Sequence, residues 1–242
     1  KPDTFSQRGI TKMYPDHLLL SSKLRQAHVA SWQTIGRAGD FFTGSERVEM
    51  VKAARAATTC DLCRRRKEAL SPYSVNGRHE DSSNLPEHIV DVIHRIRSDP
   101  GRLTKTWFEA VTATDLTAQQ YVEIVSVVTT SVIIDTLHQA MDIALPEAPE
   151  PANGKPRGQF NQNAVDVGGW VPVTDAPADI AGHGLPVVPN IARAMGLVPS
   201  AVDLFFTTFR PHYSLSDIDL SISQAQAEFV AARVSAINEC YY

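Results

Sequence analysis

The chain has 242 residues, with 23 Lys and Arg against 27 Asp and Glu, and a formal net charge of −4. That length can bury one large core or two of ordinary size, and the acidic balance gives no electrostatic reason to expect a nucleic acid or an anionic membrane surface as partner. Three cysteines in a chain this long exclude a disulfide scaffold.

No uninterrupted apolar run approaches the roughly eighteen residues of a membrane-spanning helix. The opening stretch "KPDTFSQRGITK" lacks the apolar segment of a secretion signal. The reading is a soluble, cytoplasmic protein.

In chain order, apolar residues at spacings of three and four predict a helix over 46–57 (Val48, Val51, Ala54). A Cys-x-x-Cys pair, Cys60 and Cys63, follows in "AATTCDLCRRRKEALSP". The next helix is predicted over 86–97 (Ile89, Val92, Ile93, Ile96). "SDPGRLT" at 98–104 is a turn that offers Thr104 as a helix cap. The segment 118–143 contains the β-branched run "IVSVVTTSVII", but its length without Gly or Pro predicts a buried helix rather than a strand. Residues 146–188 are dense in Pro, Gly and Asn and read as a linker over the surface. Two short helical patterns split by Pro199 come next, then a helix over 226–237 (Phe229, Val230, Val234, Ile237).

A helix capped near Thr59 would put the cysteines in its first turn, where free backbone N–H groups and the helix dipole favour a thiolate. The second sulfur, one turn on, can close a disulfide. Zinc needs four ligands, and Cys60, Cys63 and Cys240 would have to recruit one of eight scattered histidines. The expectation is therefore a redox pair, with no metal and no cofactor.

Placing Cys60 on Cys240 aligns "VEMVKAARAATTC" with "EFVAARVSAINEC", two small-residue helices that each carry a cap-competent residue near the cysteine (Thr59, Asn238). This reads as an internal duplication. "QAEFVAARVSAINEC" resembles the core motif of the alkylhydroperoxidase D-like (carboxymuconolactone decarboxylase-like) superfamily, in which Glu and the first Cys are separated by eleven residues, as Glu228 and Cys240 are here. "PNIARAMGLVPSAVDLFF" is similar to the helices before that motif, and 118–143 to the helix after it. An unbroken helix would hold Glu228 and Cys240 about 18 Å apart, so a bend near Asn238 is expected.

The resemblance implies an all-α fold: a duplicated helical bundle with a first block at 1–145, the linker at 146–188, and a second block from 189 cut within its Cys motif at 242. It places the second block's partner sulfur at position 243 and its histidine at 247, beyond the chain as given, with cysteine or selenocysteine at 243. It implies a peroxidase that uses a thiol reductant, with Glu228 as proton acceptor for Cys240, and a homo-oligomer. In the first block the position of the family glutamate is Val48 and that of the histidine is Lys67. Four cations, Arg64 to Lys67, follow Cys63, and positive charge lowers a thiol pKa. Arg64 and Lys67 are thus supporting candidates. His79, in the turn-rich loop "NGRHED", is either a surface loop histidine, the favoured reading, or a residue that reaches the cysteines from across the fold. His94 and His138 lie within helical patterns and are expected to be packed, with His138 lining the first site. Glu123, a carboxylate among apolar neighbours, either needs a partner if buried, for which the cations near Cys63 are the candidates, or stands on the helix surface. A catalytically silent first block, with Val48 and Lys67 as degenerate positions, is the competing expectation.

Overall fold

Several of the helices begin where a side chain closes the first turn. The computed structural model describes residues 13–114, 116–174, 190–212 and 221–237. Ser21 caps α1 (Ser22–Ile35) by accepting the Leu24 N–H. Thr43 and Glu46 form a reciprocal capping box on α2 (Gly44–Ala56). α3 (Asp61–Glu68) follows after a tight turn, and α4 (Glu87–Ser98) buries Ile89, Val90, Val92, Ile93 and His94 on one face. Thr104 caps α5 (Lys105–Thr112) as expected, accepting the Trp107 N–H at 3.2 Å. A second capping box, Thr117 with Gln120, opens α6 (Ala118–Ala140). Beyond the Pro-rich stretch come α7 (Asn190–Met195), α8 (Pro199–Phe209, with Pro at its start) and α9 (Gln224–Ile237). Among the described residues there is no strand, only an isolated antiparallel bridge between Val165 and Val173. The fold is all-α.

α6 is the centre of the bundle and packs against α8, α2, α4 and α1. Its β-branched run is buried on several sides, with Ile124, Val127, Val128 and Ile134 inside. By length and composition α6 could cross a membrane, but 67% of that apolar stretch is buried against the rest of the protein. One continuous core joins residues from both sides of the Pro-rich stretch, among them Trp32, Met50, Ile93, Val127, Leu197 and Leu204. A buried Ser126 hydroxyl donates to the Ala201 carbonyl at 3.1 Å, tying α6 to α8.

The Pro-rich stretch runs over the turn between α1 and α2. Ala152 N–H donates to Gly36 O at 2.7 Å, Arg157 N–H to Gly39 O at 3.2 Å and Gly158 N–H to Asp40 O at 2.7 Å. Glycine is needed for this approach: a Cβ on Gly36 would sit 2.4 Å from the Glu150 carbonyl oxygen. α9 buries Ala227 and leaves Phe229, Val230, Val234 and Ile237 exposed.

Candidate functional site: two cysteines and two histidines

α2 ends at Ala56 and the chain turns sharply before α3. The bend expected near Asn238 lies outside the described residues, while a break between helix and cysteine is present ahead of Cys60. It differs from expectation in one respect: Cys60 itself, extended at φ −65° and ψ 124°, occupies the cap position of α3, while the Thr59 hydroxyl turns back to the Ala56 carbonyl. Cys63 lies in the first turn of α3. Both sulfurs are free thiols, and both residues are buried, at 2% and 4% exposure. A small apolar cluster of Ala57, Leu62 and Val75 surrounds them.

His79 arrives from the loop between α3 and α4, and His94 from α4. His79 Nδ1 lies 3.5 Å from Cys60 Sγ and 3.6 Å from Cys63 Sγ. His94 Nδ1 lies 3.3 Å from Cys63 Sγ. All four of these atoms fall within 4.8 Å of one another. On the far side of each ring stands a carboxylate: Asp91 Oδ1 accepts His79 Nε2–H at 2.9 Å, and Asp81 Oδ1 is 3.9 Å from His94 Nε2.

The loop is held in this position by bonds at both ends. The Glu80 carboxylate accepts the Asp61 N–H at 3.2 Å, at the start of α3. Arg66 donates to the Val75 carbonyl at 3.1 Å and to Asp91 at 2.6 Å, and Arg95 donates to the other Asp91 oxygen at 2.9 Å. Arg102 closes the opposite end of α3 by donating to the Ala69 and Arg66 carbonyls at 2.7 Å each.

The electrostatics follow from these contacts. Burial works against a charged His79, yet its bonds to Asp91, Cys63 and Cys60 raise its pKa to about 10. Burial likewise opposes ionisation of Cys60, but the backbone N–H groups of Cys63 and Glu80, with His79, overcome it and hold the thiol below its ordinary value. Burial, then the charge on His79, push His94 down to about 4. The result is an imidazolium beside thiolate-prone sulfur, with a second, neutral imidazole behind it.

The other expected site residues sort differently. Arg64 is exposed and spends its guanidinium on Asp61 and Glu68; Lys67 is also exposed. Of the cation run, Arg66 is the member that reaches the site. Glu123 is not paired with those cations. It accepts the N–H groups of Asp40 and Phe41 at 3.1 and 2.7 Å, and Arg47 Nε lies 3.5 Å from its other oxygen. This separate cluster adds the buried Asp40, which pairs with the exposed Arg157 and with the half-buried Ser200. His138 does not line the cysteine site either: its ring nitrogens meet the Ile134 and Met13 carbonyls at 2.8 and 3.0 Å, and it stacks on Tyr14. Tyr14 in turn bonds His28, whose other nitrogen is 2.7 Å from His212. Glu228, on α9, accepts from Gln224 at 2.6 Å. Cys240 and Asn238 lie outside the described residues.

The expectation that a four-ligand set would need Cys240 is corrected by this arrangement, because two histidines join Cys60 and Cys63 without it. His94, Asp91 and Asp81 were missed from the sequence. A partial signal was there: Cys-x-x-Cys is followed after fifteen residues by His79, a spacing common in metal-binding modules, but His94 stands fourteen residues further on, outside the usual pattern. No family model, no curated protein and no solved structure matches this chain. Its chemistry is read from the residues themselves.

Proposed function

We propose that this chain is a thiol-dependent oxidoreductase of the peroxidase type, with Cys60 and Cys63 as the working pair. The observation that carries the reading is His79, whose Nδ1 reaches both sulfurs while Asp91 fixes its other nitrogen. Such a histidine can take a proton from one thiol and return it to a leaving oxygen. The likeness of the cysteine stretches to the alkylhydroperoxidase D-like motif supports the same chemistry.

A cavity of about 10 Å³ touches Cys63, about the space of one water, whereas the larger cavity of about 320 Å³ lies beside Arg47 and Ser200. Small peroxides therefore suit the site best, with Cys63 as the sulfur they meet. The Cys63 thiolate attacks one peroxide oxygen and breaks the O–O bond. Sulfenic acid forms, and the departing hydroxide takes the proton held by His79. Cys60, whose ionisation is favoured, passes its proton to the now neutral His79 and attacks the Cys63 sulfur. The disulfide forms as the S–O bond breaks, and the departing hydroxide takes that proton from His79 and leaves as water. An external dithiol supplies the two electrons that restore the pair and is itself oxidised to its disulfide. By the same family likeness the protein works as a homo-oligomer.

Burial of both cysteines favours a second reading, a catalytically silent block whose sulfurs serve structure. One experiment separates the two. The metal-free, reduced full chain is treated with hydrogen peroxide, and the Cys60–Cys63 disulfide is measured by mass spectrometry beside the Cys63→Ser variant. Rapid disulfide formation, abolished in the variant and reversed by a dithiol, is the expected outcome. Oxidation no faster than that of free cysteine would leave only the structural reading.

A further inference from the structure

We infer that Cys60, Cys63, His79 and His94 together form a closed, four-coordinate site for a zinc-class divalent cation. This goes beyond the dithiol chemistry and stands without it, because it rests on the donor set alone.

Zinc is held tetrahedrally by Cys sulfur at about 2.3 Å and His nitrogen at about 2.0–2.1 Å. At the tetrahedral angle these bond lengths place a bound sulfur and nitrogen about 3.6 Å apart. The three sulfur–nitrogen separations given above, 3.5, 3.6 and 3.3 Å, match that edge. Such separations leave room for one ion at the centre. A two-iron cluster would spread its ligands further apart, since each iron takes its own pair.

The orientation of the histidines points the same way. Each turns Nδ1 to the sulfurs and Nε2 to a carboxylate, Asp91 for His79 and Asp81 for His94. For His79 the bond to Asp91, at 2.9 Å, is the partner on the remote nitrogen that usually fixes a metal-binding imidazole, whereas Asp81 at 3.9 Å faces His94 without bonding it. The His94 side chain is 0% exposed, and its Nδ1 faces Cys63 Sγ at 3.3 Å. A fully buried imidazole packed against two sulfurs and a second imidazole is costly to maintain for packing alone. As ligands of one cation the four groups neutralise one another, two thiolates against a double charge.

Thiolate and imidazole donors select zinc, cobalt or iron over magnesium or calcium. All four positions are filled by protein atoms, so no place remains for the activated water of a hydrolytic centre. The ion would instead clamp the start of α3 to the 75–86 loop and to α4, and it would shield both sulfurs from peroxide until released.

The test uses the reduced full chain. Zinc is measured after purification in zinc-supplemented medium, and Co2+ is titrated into the chelator-stripped protein. One ion per chain is expected. The cobalt form should show the intense visible bands of tetrahedral coordination and a sulfur-to-cobalt charge-transfer band. Cys63→Ser should weaken that band, and His94→Gln should shift the visible spectrum. Asp91→Asn, at a residue that supplies no donor atom but bonds His79, Arg66 and Arg95, should loosen zinc about 10–100-fold. Failure of the wild-type chain to retain zinc or to give a tetrahedral cobalt spectrum would overturn the inference, as would a Cys60→Ser/Cys63→Ser variant that binds as tightly as wild type. Peroxide oxidation of the stripped protein is a separate readout, so the metal site and the dithiol cycle can fail independently.

Discussion

Glu123→Gln distinguishes most sharply between a carboxylate that serves the cysteines and one that serves the fold. The change keeps an acceptor for the Asp40 and Phe41 N–H groups but removes the negative charge beside Arg47. Both side chains are almost wholly buried, at 2% and 6% exposure, so water cannot replace the lost partner. Removing one member of a buried ion pair costs about 3–5 kcal/mol. Arg47 retains bonds to the Thr34 and Arg37 carbonyls, which places the expected loss at the low end, about 3 kcal/mol. For a chain of this size that is a fall in melting temperature of roughly 6–12 °C. Thermal unfolding by circular dichroism measures it, and alkylation of Cys60 and Cys63 followed in parallel should keep its wild-type rate. An Arg47→Met/Glu123→Leu double variant should lose less than the sum of the single changes, because no charge is stranded. A loss below about 1 kcal/mol, or slowed alkylation with an intact fold, would refute the placement of Glu123 in a structural cluster.

Three further outcomes are expected. His79→Asn should slow alkylation of Cys60 by iodoacetamide near neutral pH, because the imidazolium that favours the thiolate is gone; an unchanged rate would remove His79 from the site. Gly39→Ala would place a Cβ 1.8 Å from the Glu123 carboxylate, so a loss of about 1–3 kcal/mol in a urea titration is expected, and an unperturbed midpoint would contradict the close approach. Acid should destabilise the fold through His28, whose pKa is lowered to about 3 by burial, by His212 and by His138. The unfolded chain protonates near 6.5 and the folded one does not, so the contribution of His28 is complete above that pH and is lost at about 1.4 kcal/mol per unit as pH falls from 6.5 toward 3. His28→Gln should flatten that slope, with Tyr14, His138 and His212 left in place around it; an unaltered slope would show that other groups set it.

Local order was legible in the amino-acid sequence because it depends on neighbours three or four residues away. The spacings that mark 46–57, 86–97 and 226–237 became α2, α4 and α9, the Thr104 cap formed, and the β-branched run 124–134 proved helical because its length outweighed its composition. The dithiol at a helix start was also readable, since caps and first-turn amides are local features, although the cap fell on Cys60 rather than Thr59. Residues that meet across the chain were another matter. Cys63 and His94 are separated by a helix, a loop and part of another helix, and only the packing of α3 on α4 brings them together. Glu123 took Arg47 as partner instead of a cation near the cysteines because the close approach of Gly39 lets the α1–α2 turn reach α6. His138, on the same helix as Glu123, was turned toward Met13 and Tyr14. A side chain's helical register states which face it occupies, but what stands opposite that face is set by loop paths and packing angles, and no local pattern encodes those.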